Sequence, residues 1–336
     1  MKAWLSRCAV VGLLATSSGL FAQDGATPQS AVVDLAPLSV GVKSPPLWLF
    51  SRGSKRVVIL GTQLPLPESG VVITASIEDY IGESGAVLTG PGLRTGDGVG
   101  LVRGLTLVSG MRRAQRNDGG RTLDQVLSPE TYAAWQVLKG KYIGRDSGVE
   151  RMRPMYAAYE LYTAALKQNG LTDTPMLGSV IAKASREAGL RRVDARFGLP
   201  NENLRKTLRN FEVAEADDVR CLESTLANLD AYIANSPAAA EAWAVGDMRR
   251  YRAAELSYTP IETCWARLTN EAISRAGGVE DPYARVNAAW LSEVQQALAS
   301  HDVVFSTLPA RDLIEGTGLV ASLRNEGFEV SELFAE

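Results

Sequence analysis

A chain of 336 residues, 46% hydrophobic and 22% charged, holds ample material for a large buried core. Its formal net charge of −3 excludes a dedicated nucleic-acid binder, which would carry a basic face. A single histidine, His301, narrows the acid–base and metal chemistry the chain can perform.

The first 22 residues read as an export signal. Lys2 and Arg7 precede an apolar stretch of Ala9 to Leu14 with Leu20 and Phe21, and Ala22 stands at the cleavage position. A membrane anchor is the competing reading, but a span needs about 20 apolar residues, more than this stretch offers. Residues 23–45 are polar, Pro-containing and aperiodic, which predicts a flexible lead-in. Residues 46–336 then form one domain, expected to be periplasmic or secreted, with no transmembrane span once the signal is removed.

Leu47-Trp-Leu-Phe-Ser-Arg52 and Arg56-Val-Val-Ile-Leu60 are two strand-like runs separated by Gly53-Ser54, a two-residue hairpin signal. The unbroken run Val57–Leu60 reads as a strand buried on both faces. It ends in Gly61-Thr62, with Pro65 and Pro67 beyond. A core strand entering a glycine turn delivers groups to a sheet edge, a common place for a site. Val71–Thr74 and Ala86–Thr89 are the next predicted strands. The glycines between Gly85 and Gly110 follow neither dinucleotide nor P-loop spacing and read as turns.

From residue 127 the period becomes helical. Ser128-Pro129-Glu130 opens a helix to Tyr142; Arg151–Asn169 is closed by Gly170, and Pro175–Ala188 by Gly189. Val219, Leu222, Leu226, Leu229 and Ile233 share one face of a fourth helix. Thr259-Pro260-Ile261-Glu262 is a capping box before a helix with Ile261, Trp265 and Leu268 on one side, ending at Gly277-Gly278. Asp281-Pro282 caps another, striped by Val286, Trp290, Val294 and Leu298. A strand at Val303–Ser306, a Gly-rich turn, a helix at Gly318–Glu326 and a strand at Phe328–Leu333 complete the order. The expected fold is α/β: a mixed central sheet flanked by helices, with a large helical insertion between N- and C-terminal strands.

Cys8 falls in the signal, leaving Cys221 and Cys264, an even pair in an exported chain. Each lies early in a predicted helix, so a helix-to-helix disulfide is expected; two buried free thiols are the other reading. His301 follows a helix and there meets its dipole. No Gly-x-Ser-x-Gly elbow, Ser-x-x-Lys pair or zinc-ligand cluster occurs. Glu215, Asp217 and Asp218 read as the charged first turn of a helix.

Several segments in fixed order resemble a known family. They are Pro46-Leu-Trp-Leu, Val58-Ile-Leu-Gly-Thr, Arg121-Thr-Leu-Asp-Gln-Val-Leu-Ser-Pro-Glu-Thr-Tyr132, Met152-Arg-Pro, Leu177-Gly178, Asn287-Ala-Ala-Trp290, Val303-Val-Phe and Gly318-Leu319. The chain resembles the TraB/PrgY/GumN group, relatives of Tiki-type proteases. The resemblance implies two Gly-x-x-His turns, each after a core strand, whose histidines bind a divalent metal. At those places this chain has Gly61-Thr62-Gln63-Leu64 and Pro309-Ala310-Arg311-Asp312, so Leu64 and Asp312 replace both histidines. An acid is implied after the strand at Ala86–Leu88, where Thr89-Gly-Pro stands instead.

The candidate pocket is therefore Gly61, Thr62, Gln63, Leu64, Arg311 and Asp312, with no catalytic residue assigned and no cofactor. A carboxylate at Asp312 must find a donor, with Arg311 and Thr62 nearest in sequence, or take a raised pKa. The expected function is that of a catalytically degenerate, exported protein that binds a peptide, polysaccharide or envelope protein, and no nucleic acid. The alternatives are a hydrolase with a rearranged site around Asp312, the one reading that calls for a divalent metal, and an assembly factor in an envelope pathway.

Overall fold

The computed structural model describes residues 44–69, 73–94, 112–199, 206, 210, 213–254, 260–277 and 279–333. All belong to the compact unit Leu35–Glu336. The predicted export segment, the lead-in as far as residue 43, the glycines from 95 to 110 and Thr259 of the predicted capping box lie outside what is described.

Among the described residues ten strands appear in chain order: β1 Leu47–Arg52, β2 Lys55–Thr62, β3 Leu66–Pro67, β4 Ala86–Leu88, β5 Leu93–Arg94, β6 Leu171–Thr172, β7 Arg192–Val193, β8 Phe197–Gly198, β9 Val303–Pro309 and β10 Glu329–Glu332. Six of them build one mixed sheet in the order β10-β1-β2-β9-β4-β7, while β3/β6 and β5/β8 form two short ribbons. β1 runs antiparallel to both its neighbours, whereas β2, β9, β4 and β7 are mutually parallel. The hairpin is as expected: Gly53 takes φ +60° and Arg52 pairs with Lys55.

Val57, Val58, Ile59 and Leu60 are all fully buried, as their unbroken apolar run implies. Each such side chain contributes about 1.5–3 kcal/mol on leaving water. The first and last strands meet in the sheet because β10 adds to β1, with Phe328 and Leu333 buried at either end of β10. Helix Pro282–Ser300 covers the sheet; Trp290 is fully buried and its indole N–H donates to Ser306 Oγ in β9 at 3.1 Å.

The insertion contains helices Pro129–Tyr142, Pro154–Gln168, Leu177–Glu187, Glu215–Ala244, Met248–Ala253 and Pro260–Gly277. Leu123, Trp135, Leu161, Tyr162, Leu222, Leu229 and Ile233 form a second apolar core within it. Caps stand where the sequence puts them: Ser128 Oγ accepts from Thr131 N, and Asp281 Oδ1 from Ala284 N. Among the described residues no helix is long and apolar enough to cross a membrane.

Four expectations change. Ile73 and Thr74 are not strand: Thr74 is the N-cap of helix Ala75–Gly82, whose Ile77, Tyr80 and Ile81 are buried at helical spacing. Val71 and Val72 are outside the described residues. The second insertion helix begins at Pro154, because a proline fits the first helical position and Gly148–Arg151 forms a separate 3₁₀ turn. Immediately after β9 the chain forms a short helix, Ala310–Glu315, closed by Gly316 at φ +68°, where a turn was expected. Ser44 and Pro45, assigned to the lead-in, are buried, with Ser44 Oγ 2.9 Å from Thr74 Oγ1.

Candidate functional site

Parallel pairing sets the geometry. Gly61 lies opposite Leu308 and Thr62 opposite Pro309, so the turn leaving β2 and the helix Ala310–Glu315 leaving β9 emerge side by side at the carboxyl edge of the sheet. That edge is where open α/β sheets place ligands. β4 flanks β9 on its other side and delivers Thr89-Gly90 to the same edge. The register thus brings the Gly61–Leu64 and Pro309–Asp312 segments together, as their places after core strands imply.

The β2 turn is heavily engaged. A methyl group at Gly61 would overlap the Trp48 ring and crowd Ala310, so the turn packs down on both. Trp243 Nε1–H, from the end of helix Glu215–Ala244, donates to the Gly61 carbonyl at 2.7 Å. Thr62 Oγ1–H donates to the Leu308 carbonyl at 3.2 Å. Gln63 is buried; its Nε2 donates to the Leu64 carbonyl at 2.7 Å, and its Oε1 accepts from the Tyr251 hydroxyl. Tyr232 Oη lies 3.5 Å from the same Leu64 carbonyl. Leu64 itself is half-buried and offers only carbon. Sequence reasoning missed Tyr232, Trp243 and Tyr251. They lie some 170 to 190 residues downstream, and no local pattern ties them to this turn.

On the β9 side, Arg311 Nε donates to Glu315 Oε1 at 2.7 Å, one helical turn away. Asp312 is half-buried, and no described group donates to its carboxylate. Neither Arg311 nor Thr62 takes the donor role, since both are bound elsewhere. Loss of solvent, then repulsion from Glu315, raises the Asp312 pKa against the pull of Arg311. A raised carboxyl pKa means the folded state resists the charged form. The resulting stability is present at low pH and lost as pH rises through the folded value. Asp312→Asn is therefore expected to stabilise the protein at neutral pH. Solvent screening of a half-exposed group keeps the gain below about 1 kcal/mol. The gain should vanish once pH falls below the ordinary carboxylate range, read as Tm difference against pH.

The remaining candidates fall elsewhere. Thr89 Oγ1 accepts from Ala195 N at 2.9 Å, tying β4 to the loop after β7, and Gly90 packs so closely on Thr307 that a Cβ would lie 2.7 Å from its hydroxyl. In that loop Asp194 is held at about 2 by hydrogen bonds from Arg196. His301 ends helix Pro282–Ser300 and precedes β9, so about 20 Å of strand separates it from Asp312.

Cys221 and Cys264 are bridged, with Cα atoms 5.7 Å apart. Glu215, Asp217 and Asp218 stand in the first turn of helix Glu215–Ala244, as read, and the buried one is Asp218. It is 2% exposed, accepts from Arg153 Nε at 2.7 Å and from Met155 N at 2.6 Å, and Arg153 also donates to the Val213 carbonyl. Its spacing could have revealed this, because 218, 222, 225 and 229 continue the buried stripe of the helix.

For a divalent ion the donors at the paired turns are one carboxylate, since Leu64 has no lone pair and the Gln63 amide is already bonded. Among the described residues no three His, Cys, Asp or Glu side chains converge. An open groove lined by Asn270, Glu271, Ser274, Arg275 and Asp281 includes none of the candidate residues.

No curated protein and no solved structure matches the chain. A family model does, over residues 46–332, a range that takes in every strand of the sheet and the whole helical insertion. By that match the chain belongs to the TraB/PrgY/gumN family.

Proposed function

We propose that this protein is an exported, catalytically degenerate family member that binds a peptide, polysaccharide or protein partner in the cell envelope. The observation that carries the proposal is the pairing of Thr62 with Pro309. It sets Leu64 and Asp312 at the two adjacent turns that the family resemblance assigns to metal histidines. A leucine supplies no coordination, and a lone carboxylate is a weak oxygen ligand. The polar groups of the β2 turn are consumed by Trp243, Tyr251 and Gln63. Little is left there to polarise a carbonyl or activate water. Export is supported by the charge-then-apolar order of residues 1–22 and by the Cys221–Cys264 bridge.

Elemental analysis of the purified mature protein, with a peptidase panel on the same preparation, tests this. The expected result is no stoichiometric Mn, Co or Zn, no rise in Tm on adding them, no peptide cleavage, and a mass that begins beyond the signal. Restoring both histidines, Leu64→His with Asp312→His, should create metal-dependent stabilisation. A tightly bound divalent ion in the unaltered protein, lost in Asp312→Ala, would overturn the proposal in favour of a hydrolase built around Asp312.

A further inference from the structure

We infer that the outer edge of β10 is a strand-addition site for an extended, basic segment of a protein partner. The inference rests on the partner-binding reading above and specifies where the partner sits and what chemistry it carries. β10 closes one side of the six-stranded sheet, and β7, only two residues long, closes the other. Among the described residues, β10 has β1 on one side and no strand on the other.

The register shows which backbone groups that edge offers. Leu333 N donates to the Leu47 carbonyl at 2.8 Å. The pairs Leu49/Ser331 and Ser51/Glu329 lie in the same phase, so they turn their hydrogen-bonding groups towards one another. Val330 and Glu332 alternate with them and point their N–H and C=O groups away from β1. The far side of β1 agrees with this phase. Gly61 N donates to the Pro46 carbonyl at 2.9 Å, so Trp48 and Phe50 bond across to β2. Val330 and Glu332 therefore each offer one donor and one acceptor to an added strand. In recognition of this kind, main-chain bonds supply affinity and side chains supply specificity.

Side-chain placement sets the chemistry of the occupant. Glu329, Ser331 and Glu332 are exposed, and Val330 is half-buried. Alternation puts Glu329 on one face of the edge and Glu332, with Val330, on the other. An added strand sets its own side chains beside them on both faces. The matching strand carries a base opposite each glutamate and an apolar β-branched residue opposite Val330. Arg52 is engaged at this end already, over the Phe328 ring at 4.5 Å and with Nη1 donating to the Glu326 carbonyl at 2.8 Å. Charge on an edge strand blocks indiscriminate pairing, yet admits a strand of opposite charge. The same glutamates gather like charge where two copies of this edge would meet, which works against self-pairing.

The test uses the mature full chain and the labelled peptide Thr-Lys-Thr-Val-Lys-Thr, followed by fluorescence anisotropy at low and high salt. Hydrogen exchange is read over residues 328–333 in the same samples. Binding should weaken with salt and should slow exchange at Val330 and Glu332, whose amides face outward. Glu329→Lys/Glu332→Lys should weaken binding by about tenfold or more, the sum of exposed pairs turned repulsive. Glu332→Pro removes an outward N–H and leaves the bonds to β1 intact, so it should weaken binding more than Glu332→Gln does. If Glu332→Pro lowers Tm, the charge-reversed variant with an unchanged Tm decides the matter. Equal binding by parent and charge-reversed protein, or no binding by the parent at low salt, overturns the inference. So does binding that leaves exchange at Val330 and Glu332 unchanged. Equal binding of the peptide with proline in place of its valine overturns it too, since that peptide keeps its charge and cannot extend the ladder. A parent dimer that is lost in Glu332→Pro would give the edge to a second copy, and would likewise overturn it. Metal content and peptidase activity are untouched by these variants, so failure here leaves the degenerate-site reading standing.

Discussion

Replacing Asp218 with alanine is expected to lower the stability of this protein by about 3–5 kcal/mol, the cost of stranding one charge of a buried pair. Arg153 is 7% exposed and Asp218 2%. Truncating the acid leaves the buried guanidinium without its carboxylate partner, though the Val213 carbonyl still accepts from it. It also leaves Met155 N without its acceptor at the start of helix Pro154–Gln168, a position where an N–H has no partner within the helix. Denaturant titration should show a lower midpoint with unchanged slope. Arg153→Met with Asp218→Leu should recover much of the loss, because an apolar pair of similar volume needs no desolvation. If the single alanine variant costs less than about 1 kcal/mol, the pair is not a structural joint.

Replacing Cys221 and Cys264 together with serine should cost about 4 kcal/mol in the chain-entropy model, given their sequence separation of 43. The variant should still fold, since two apolar cores remain intact. A reducing agent should shift the unfolding midpoint of the parent by a similar amount and leave the variant unmoved. Cys221 lies one helical turn beyond Asp218 and packs with Met155 and Leu268. The disulfide and ion-pair losses should therefore combine non-additively. Additive losses would mean that the bridge and the pair act in separate parts of the molecule.

Much of the fold was legible in the residues themselves. Val57–Leu60 announced a doubly buried strand, Gly53-Ser54 its hairpin, and Ser128-Pro129 and Asp281-Pro282 their helix starts. These signals are local, and local physics decides them. Ile73-Thr74 misled because β-branched residues favour strands, whereas the buried spacing of Ile77, Tyr80 and Ile81 prevailed in the chain that follows. Helix Ala310–Glu315 was obscured by the glycines beyond it, which close the helix at Gly316. At the candidate site, the resemblance located both turns, and the strand register joined them. What stayed hidden were the partners supplied by tertiary packing. Tyr251 meets Gln63 across 188 residues, and Trp243 meets Gly61 across 182. Asp218 stands in the acidic first turn that was read, and its burial follows from its place on the helix stripe with Leu222, Thr225 and Leu229.

The sheet's connectivity has a consequence for how the molecule is made. β2 and β9 are joined side by side although Thr62 and Leu308 are 246 residues apart, and β1 receives β10 from the far end of the chain. Contacts of this separation carry a large loop-closure entropy, which slows folding. During synthesis the hairpin and the insertion helices can form early, but the hairpin lacks both its flanking strands until residues 303–332 have been made. Until then the edges of β1 and β2 present unpaired N–H and C=O groups along a fully apolar run, a template for pairing with other chains. This architecture therefore favours a late, all-at-once closure of the sheet, and its period of greatest exposure to aggregation falls just before that closure.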